Sequence, residues 1–331
     1  MTDFKLLEEI FTTYQTFVLT THVNPDADAL GSELALQRIL KRKNKSVRII
    51  NFSSTPAYLN FLDSQNVIEH FNEEEHSEVI KAADVIVALD FNRSDRIVRM
   101  SKLFLESSAV KICIDHHQFP ENVFSHIFGS PEYCATGHII HDFIAKTNYG
   151  KIDYEIAEPL YAAIMTDTGS FRFDRTTSDV HRIAAELLDA GVVPIELHSK
   201  IFDQNSPGKM LLLGDTLKGI EYYGDNSELG VMTVTLRALK KYNTKEDDTD
   251  QFINMMMMCE TVQFGLKFLE LKDGFKVSLR SKGKLPAHLF AAKYGGGGHM
   301  NASGIRIKGK KIKELKPIII SEALKFLEES K

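Results

Sequence analysis

Thr21-His22-Val23-Asn24-Pro25-Asp26-Ala27-Asp28-Ala29-Leu30-Gly31-Ser32 lies between the apolar run Phe17-Val18-Leu19-Thr20 and the segment Glu33 to Lys43. The run has the length and composition of a short buried strand, and the segment after it reads as a helix. The polar stretch is therefore a loop at the carboxyl end of a strand, the edge where open α/β sheets bind ligands. It sets one imidazole, His22, beside two carboxylates, Asp26 and Asp28, on a loop stiffened by Pro25. Carboxylates packed this closely repel one another and have raised pKa values unless a cation neutralises them. Asp is also a common helix N-cap, so this stretch by itself leaves capping and metal binding open.

Outward from the loop, the pattern repeats. Ser46 to Asn51 reads as a second strand, completing a strand-helix-strand unit. Asp84-Val85-Ile86-Val87-Ala88-Leu89-Asp90 is a continuous apolar run closed by an acid, the signature of a central parallel strand. Ala109 to Ile114 is another such run, and it ends in Asp115-His116-His117. Three strands thus deliver acids or imidazoles to one sheet edge. An amphipathic helix is expected over Lys5 to Tyr14, and further helices over Cys134 to Lys146, Ile156 to Met165 and Val180 to Leu188. The second of these three runs into Thr166-Asp167-Thr168-Gly169.

The chain has 331 residues, about twice an ordinary domain, so two domains are expected, each with its own core. A net charge of -5 and a pI near 6.2 argue against a protein that grips long nucleic acid through a basic face. An anionic substrate would be small and held by a local positive cluster. Residues 1–9 carry Asp3, Lys5, Glu8 and Glu9, unlike a signal or transit peptide, and no stretch approaches the ~20 apolar residues of a membrane span. Cys113, Cys134 and Cys259 are few and far apart, which fits a reducing compartment and excludes a cysteine-based zinc motif. A cytoplasmic protein is expected.

Residues 1–203 are read as a catalytic α/β domain with a largely parallel sheet flanked by helices. Residues 204–222 read as a linker, with a helix over Pro207 to Ile220, and 223–331 as a smaller α+β domain. Strands are expected there at Leu229 to Leu236, Glu260 to Leu271 and Phe275 to Leu279, with a hairpin at Asp273-Gly274. Met255 to Met258 read as buried helix filling. Lys308 to Lys316 reads as a solvated hairpin edge that discourages strand aggregation. Lys41-Arg42-Lys43 suits the negative end of a helix dipole. Tyr294-Gly295-Gly296-Gly297-Gly298-His299 could bring backbone N–H groups close to a phosphate. No Gly-Lys-Ser/Thr follows, so it is not a Walker loop. Arg280 and Ser281 end a strand, where an arginine can clamp a phosphate bidentately. Arg172 and Arg93 are weaker candidates, since each has acids nearby in sequence.

Taken together, His22-x-Asn24-Pro25-Asp26-x-Asp28, Asp90, Asp115-His116-His117, Asp167 and the distant glycine-histidine run resemble the DHH phosphoesterase superfamily with its DHH-associated C-terminal domain. The likeness spans nearly the whole chain and is strongest for the compact branch of bacterial nano-RNases. That branch cleaves short oligoribonucleotides and acts on 3′-phosphoadenosine 5′-phosphate (pAp). The resemblance implies two divalent metal ions, manganese first, with magnesium, cobalt or zinc as the other candidates. His22, Asp26 and Asp90 would hold one ion; Asp28, Asp90, His116 and Asp167 would hold the other, Asp90 bridging. Asp115 would orient His116, while His117 would stabilise phosphate charge or assist the leaving oxygen. Arg280, Ser281, Gly295 to Gly298 and His299 would recognise the nucleotide across a cleft between the domains. The expected partners are short oligoribonucleotides and small phosphorylated nucleotides, with no long duplex and no membrane; a homodimer is left open.

The rival readings are a manganese inorganic pyrophosphatase, a phosphodiesterase for cyclic di-AMP, a RecJ-type exonuclease and a binding module without catalysis. The glycine-histidine run speaks against the first. The absence of a sensory segment speaks against the second and the acidic charge against the third. The full set of ligand types speaks against the last.

Overall fold

The computed structural model describes residues 2–147 and 149–330, the side chain of residue 299 excepted. Its contacts divide the chain into two units, residues 1–204 and 205–331. In the first unit α1 (Phe4–Thr13) leads into β1 (Thr16–Thr21), followed by α2 (Ala27–Arg42), β2 (Ser46–Asn51) and β3 (Ile68–His70). Next come α3 (Glu73–Ala82), β4 (Val85–Leu89), α4 (Met100–Glu106), β5 (Val110–Ile114) and β6 (His126–Phe128). Four helices complete it: α5 (Thr136–Thr147), α6 (Tyr154–Asp167), α7 (Ser178–Asp189) and α8 (Pro194–Phe202).

The six strands are all parallel, in the order β3-β2-β1-β4-β5-β6. β4 is buried along its whole length, which is why its sequence is an unbroken apolar run. From β1 the chain steps outward to β2 and β3, then returns to β4 and steps the other way. The order therefore reverses between β1 and β4, where crossovers leave to opposite faces and a crevice opens at the carboxyl ends.

α2 starts at Ala27, six residues before the helix that sequence periodicity suggests. Residues 27 to 37 of α2 are all buried, so no polar face marks the helix start in the sequence. α2 packs tightly on α6: a Cβ on Gly31 would lie 2.3 Å from the carbonyl oxygen of Pro159. Lys41 and Arg42 occupy the last turn of α2, at the negative end of its dipole.

In the second unit, α9 (Pro207–Lys218) precedes β7 (Glu221–Tyr223), β8 (Leu229–Val234), α10 (Leu236–Lys241) and α11 (Phe252–Met256). Then follow β9 (Phe264–Leu271), β10 (Gly274–Ser281), α12 (Ala287–Ala292), β11 (Gly297–His299), β12 (Ala302–Lys308) and α13 (Ile312–Glu329). The sheet order is β11-β12-β10-β9-β8-β7, and only β8 and β9 run parallel. Its core is aromatic, with Phe264, Phe268, Phe275, Phe290 and Phe326 in one cluster.

Three sequence expectations change here. α9 is part of the second unit rather than a separate linker, because Leu212 is fully buried with Met232, Val234 and Phe252. α11 has only five residues, so Met256 is buried while Met255 is 44% and Met258 70% exposed. The lysine run is no hairpin edge: Lys308 ends β12, Gly309 turns at φ +70°, and Lys311 caps α13. Among the described residues no helix is long and apolar enough to cross a membrane.

The Gly31 contact makes a test of opposite signs. Gly31→Ala should destabilise by about 1–3 kcal/mol through overpacking against Pro159. Gly214→Ala, within α9 and with nothing within 4 Å of its Cβ position, should stabilise by about 0.5–1 kcal/mol. Urea unfolding of the two variants checks both.

Candidate metal centre

His22 is the first residue beyond β1. Its Nδ1 lies 3.0 Å from the carbonyl oxygen of Val23, which accepts a hydrogen bond from it, so Nε2 is the nitrogen turned to the acids. Nε2 stands 3.3 Å from Oδ2 of Asp90. Asp26 caps α2, its Oδ1 accepting from the N–H groups of Asp28 at 3.0 Å and Ala29 at 3.1 Å. Asp28 caps a different helix. Its Oδ2 accepts from the Thr136 N–H at 2.7 Å and its Oδ1 from the Gly137 N–H at 2.8 Å, at the start of α5 108 or more residues later. Capping and cation binding are thus not alternatives for these two residues. Each cap fixes a carboxylate that also has an oxygen close to an imidazole, His22 for Asp26 and His116 for Asp28.

Asp90 follows β4 with φ +62°, a left-handed conformation uncommon for a residue with a side chain. Its Oδ1 accepts from the Thr136 hydroxyl at 3.0 Å and lies 3.5 Å from Nε2 of His116. With His22 on its other oxygen, Asp90 is the carboxylate common to both sides of the cluster. His116 Nε2 also stands 3.3 Å from Asp167 Oδ2 and 3.8 Å from Asp28 Oδ2. Asp167 is the last residue of α6, which carries it to the same point.

The role expected for Asp115 changes. Asp115 holds His117, not His116: its Oδ1 is 2.8 Å from His117 Nδ1 and its Oδ2 accepts the His117 N–H at 3.1 Å. In extended chain, residues two apart share a side and successive ones do not. His116 instead turns its Nδ1 toward the carbonyl oxygen of Tyr133 at 3.3 Å.

The electrostatics ask for positive charge. Burial opposes protonation of His22, yet its bond to Asp90 and the charges of Asp90 and Asp26 raise its pKa to about 9. His116 rises to about 10 against the same burial, through Asp90, Asp28 and Asp167. Burial and neighbouring acids raise Asp28, and burial pushes Asp167 up to about 6. Asp90 goes down in spite of burial because His116 and His22 both bond to it. Without a cation, protons on the imidazoles supply the missing charge. Three overlapping groups have donor atoms within 4.8 Å of one another: His22, Asp26 and Asp90; Asp28, His116 and Asp167; Asp90, His116 and His117. Mixed imidazole and carboxylate donors of this kind fit a hard or borderline divalent ion.

In the second unit, the register aligns positions 280, 302 and 299 in one row across β10, β12 and β11. Arg280 is half-buried, and its Nη1 donates to the carbonyl oxygen of Leu279 at 3.0 Å. Ser281 is committed elsewhere: its hydroxyl donates to the Leu285 carbonyl oxygen at 2.6 Å and accepts from Asn301 at 2.9 Å. The glycines are not an open phosphate loop. The N–H groups of Gly295 and Gly296 donate to Ala292 and Ala291 and close α12. A Cβ on Gly296 would lie 2.2 Å from the Gly304 carbonyl oxygen, and one on Gly298 2.5 Å from that of Ala302. Close strand approach requires glycine at both. Gly297 alone has open space around its Cβ position and an unstrained φ. The expectation for the His299 side chain lies outside the described residues.

A model of the DHH family N-terminal domain matches residues 16–164, and a model of the DHHA1 domain matches residues 229–329. A Thermus thermophilus protein described as bifunctional oligoribonuclease and PAP phosphatase NrnA is 33% identical over 88% of this chain and 84% of its own. This chain belongs to the DHH family. A Bacillus subtilis protein with the same description is 28% identical over 89% of this chain and 90% of its own. The crystal structure of an exopolyphosphatase-related protein from Bacteroides fragilis matches this DHH chain with a TM-score of 0.92 at 31% identity, covering 97% and 95% of the two chains. Phosphoester hydrolysis with divalent metal ions goes with the family, and the grouped acids and imidazoles are of the kind that binds them.

Sequence reasoning missed several residues that shape the DHH site. Asn92, buried, donates to the carbonyl oxygens of His117 at 3.0 Å and Gln118 at 3.3 Å, bracing the turn after the Asp-His-His run. Its place two residues after Asp90 was the available signal. Thr136 and Arg175 approach the cluster from distant segments and left no local mark. Glu33, fully buried in α2, accepts from Asn51 Nδ2 at 2.8 Å through Oε2, while Oε1 has no partner among the described residues. Asn51 in turn accepts from the N–H of Thr21 at 3.1 Å, fixing the end of β1 from which His22 projects.

Burial, only partly offset by Asn51 and His22, pushes Glu33 up to about 8 from an ordinary 4.5. The folded chain therefore keeps a proton that the unfolded chain releases. This contribution is complete below about 4.5 and is lost as pH rises through about 8, by roughly 1.4 kcal/mol per pH unit in between. In urea titrations of metal-free protein from pH 5 to 8, wild type should lose stability relative to Glu33→Gln; a constant difference would contradict the assignment.

Proposed function

We propose that this chain hydrolyses short linear oligonucleotides, dinucleotides such as pApA among them, to mononucleotides, and pAp to AMP and phosphate. The observation that carries the reading is the convergence of His22, Asp28, His116 and Asp167 around Asp90 at the reversal of the sheet. The described activities of the Thermus and Bacillus relatives, which match most of both chains, support the substrate class.

In this reading His22, Asp26 and Asp90 hold one divalent ion, and Asp28, Asp90, His116 and Asp167 hold the other. Four carboxylates balance two dications, and the ligand types favour manganese. Divalent ions held there would lower the pKa of a bound water toward neutrality and supply positive charge opposite the phosphoryl oxygens. Asp115 holds His117 by Nδ1, so the proton His117 can hand to a departing oxygen is the one on Nε2. Burial opposes the charge on His117, but Asp115 raises its pKa, which keeps that proton available. Arg280 would take a terminal phosphate: among the described residues no carboxylate lies within 4.0 Å of it, and one carbonyl accepts from it. The three free cysteines suit a reducing cytoplasm.

With manganese added to metal-stripped protein, pApA and pAp should turn over faster than a longer RNA, pyrophosphate or cyclic di-AMP in a side-by-side assay. Pyrophosphate or the cyclic dinucleotide leading that series would overturn the substrate assignment. Asp90→Asn should cut turnover about 10³-fold or more, and calorimetry should show manganese affinity falling at both sites.

A further inference from the structure

We infer that Arg175 binds a phosphoryl oxygen of the substrate, acting from the first unit beside the ion-holding carboxylates. The inference rests on the phosphoester reaction proposed above. Arg175 lies in the turn between Asp167 and α7. That turn is fixed: the N–H groups of Arg172 and Phe173 both donate to the Thr168 carbonyl oxygen at 3.0 Å, and Thr177 caps α7. The guanidinium is thereby delivered to His116, with Nη1 3.2 Å from Nδ1 of the ring and 3.4 Å from the Tyr133 carbonyl oxygen.

The two partners do not satisfy it. His116 meets Asp28, Asp90 and Asp167 through Nε2, which is the nitrogen left to face a cation. Both contacts of the guanidinium are made by Nη1. Nη2 and Nε have no protein partner among the described residues, although an arginine presents five N–H donors. Among the described residues no carboxylate lies within 4.0 Å of it, and the residue is exposed.

Among the described residues, neither arginine singled out in the sequence pairs with His116 or the grouped acids. Arg93 pairs with Asp95 at 3.4 Å, and Arg172 stands over the Phe173 ring at 5.5 Å. Arg175 therefore combines fixed placement, proximity to the cluster and unspent donors. A tetrahedral oxyanion offering two oxygens to the planar fork is the ligand chemistry that matches. The contact involves no bond making, so its contribution is charge-assisted hydrogen bonding to a non-bridging oxygen.

The test compares wild type, Arg175→Ala and Arg175→Lys with pAp and pApA in manganese. Arg175→Ala should lose about 10- to 100-fold in kcat/KM, the size expected for a lost hydrogen bond to a charged group. Arg175→Lys should recover only part of this, having charge but no fork. Guanidinium chloride at tens of millimolar should partly restore Arg175→Ala and leave wild type unimproved. Calorimetry should show AMP binding weakened about 10-fold or more in Arg175→Ala, with manganese affinity and melting temperature unchanged. Unchanged kcat/KM and AMP affinity would overturn the inference, as would a loss that follows weakened manganese binding and resists guanidinium rescue. If wild type hydrolyses none of these esters, the proposed function fails first, and the AMP comparison still decides for or against Arg175.

Discussion

Crowding of like charge at the sheet's reversal is the constraint on which the first unit depends. Asp26, Asp28, Asp90 and Asp167 come from two strand-end loops, the first turn of a helix and the last residue of another. Their mutual repulsion would open the crevice if the surrounding structure did not hold them. It does so with backbone donors: each oxygen of Asp28 takes an N–H from the start of α5, and Asp26 takes two from α2. Asp90 is held by a hydroxyl and by two imidazoles that carry protons in the absence of ions. The same groups that steady the acids leave their oxygens gathered with the imidazoles in overlapping groups.

The parts of this arrangement legible in sequence were those carried by local pattern. β2 runs from Ser46 to Asn51, the bounds read for it in sequence, and β4 and β5 fall within a residue of their apolar runs. Parallel strands buried on both faces show as continuous hydrophobic stretches, and acids at their ends stand out against that background. The three-residue strands β3 and β6 are too short to carry a period. The early start of α2 was hidden because a helix buried on every side shows no amphipathic rhythm.

Side-chain partnership was harder to read than position. His116 and His117 are adjacent in sequence, and only strand alternation decides which of them Asp115 reaches. Thr136 and Arg175 arrive from segments far along the chain, so no spacing pointed to them. In the second unit the glycine run was noticed for its composition, but its meaning is set by neighbours. Gly296 and Gly298 press against the backbone of β12, and the N–H of Gly296 closes a helix end. A run of glycines in sequence does not distinguish contact with a ligand from contact with the protein's own main chain.

The capture of the α5 terminus by Asp28 gives this buried acid a counter-charge of its own. A twelve-residue helix presents roughly half a positive charge at its first turn. Here that partial charge abuts the most deeply buried acid of the cluster and is permanent, being made of peptide dipoles. It acts as a resident counter-charge that titration of a neighbouring side chain does not remove, so Asp28 always has a positive partner.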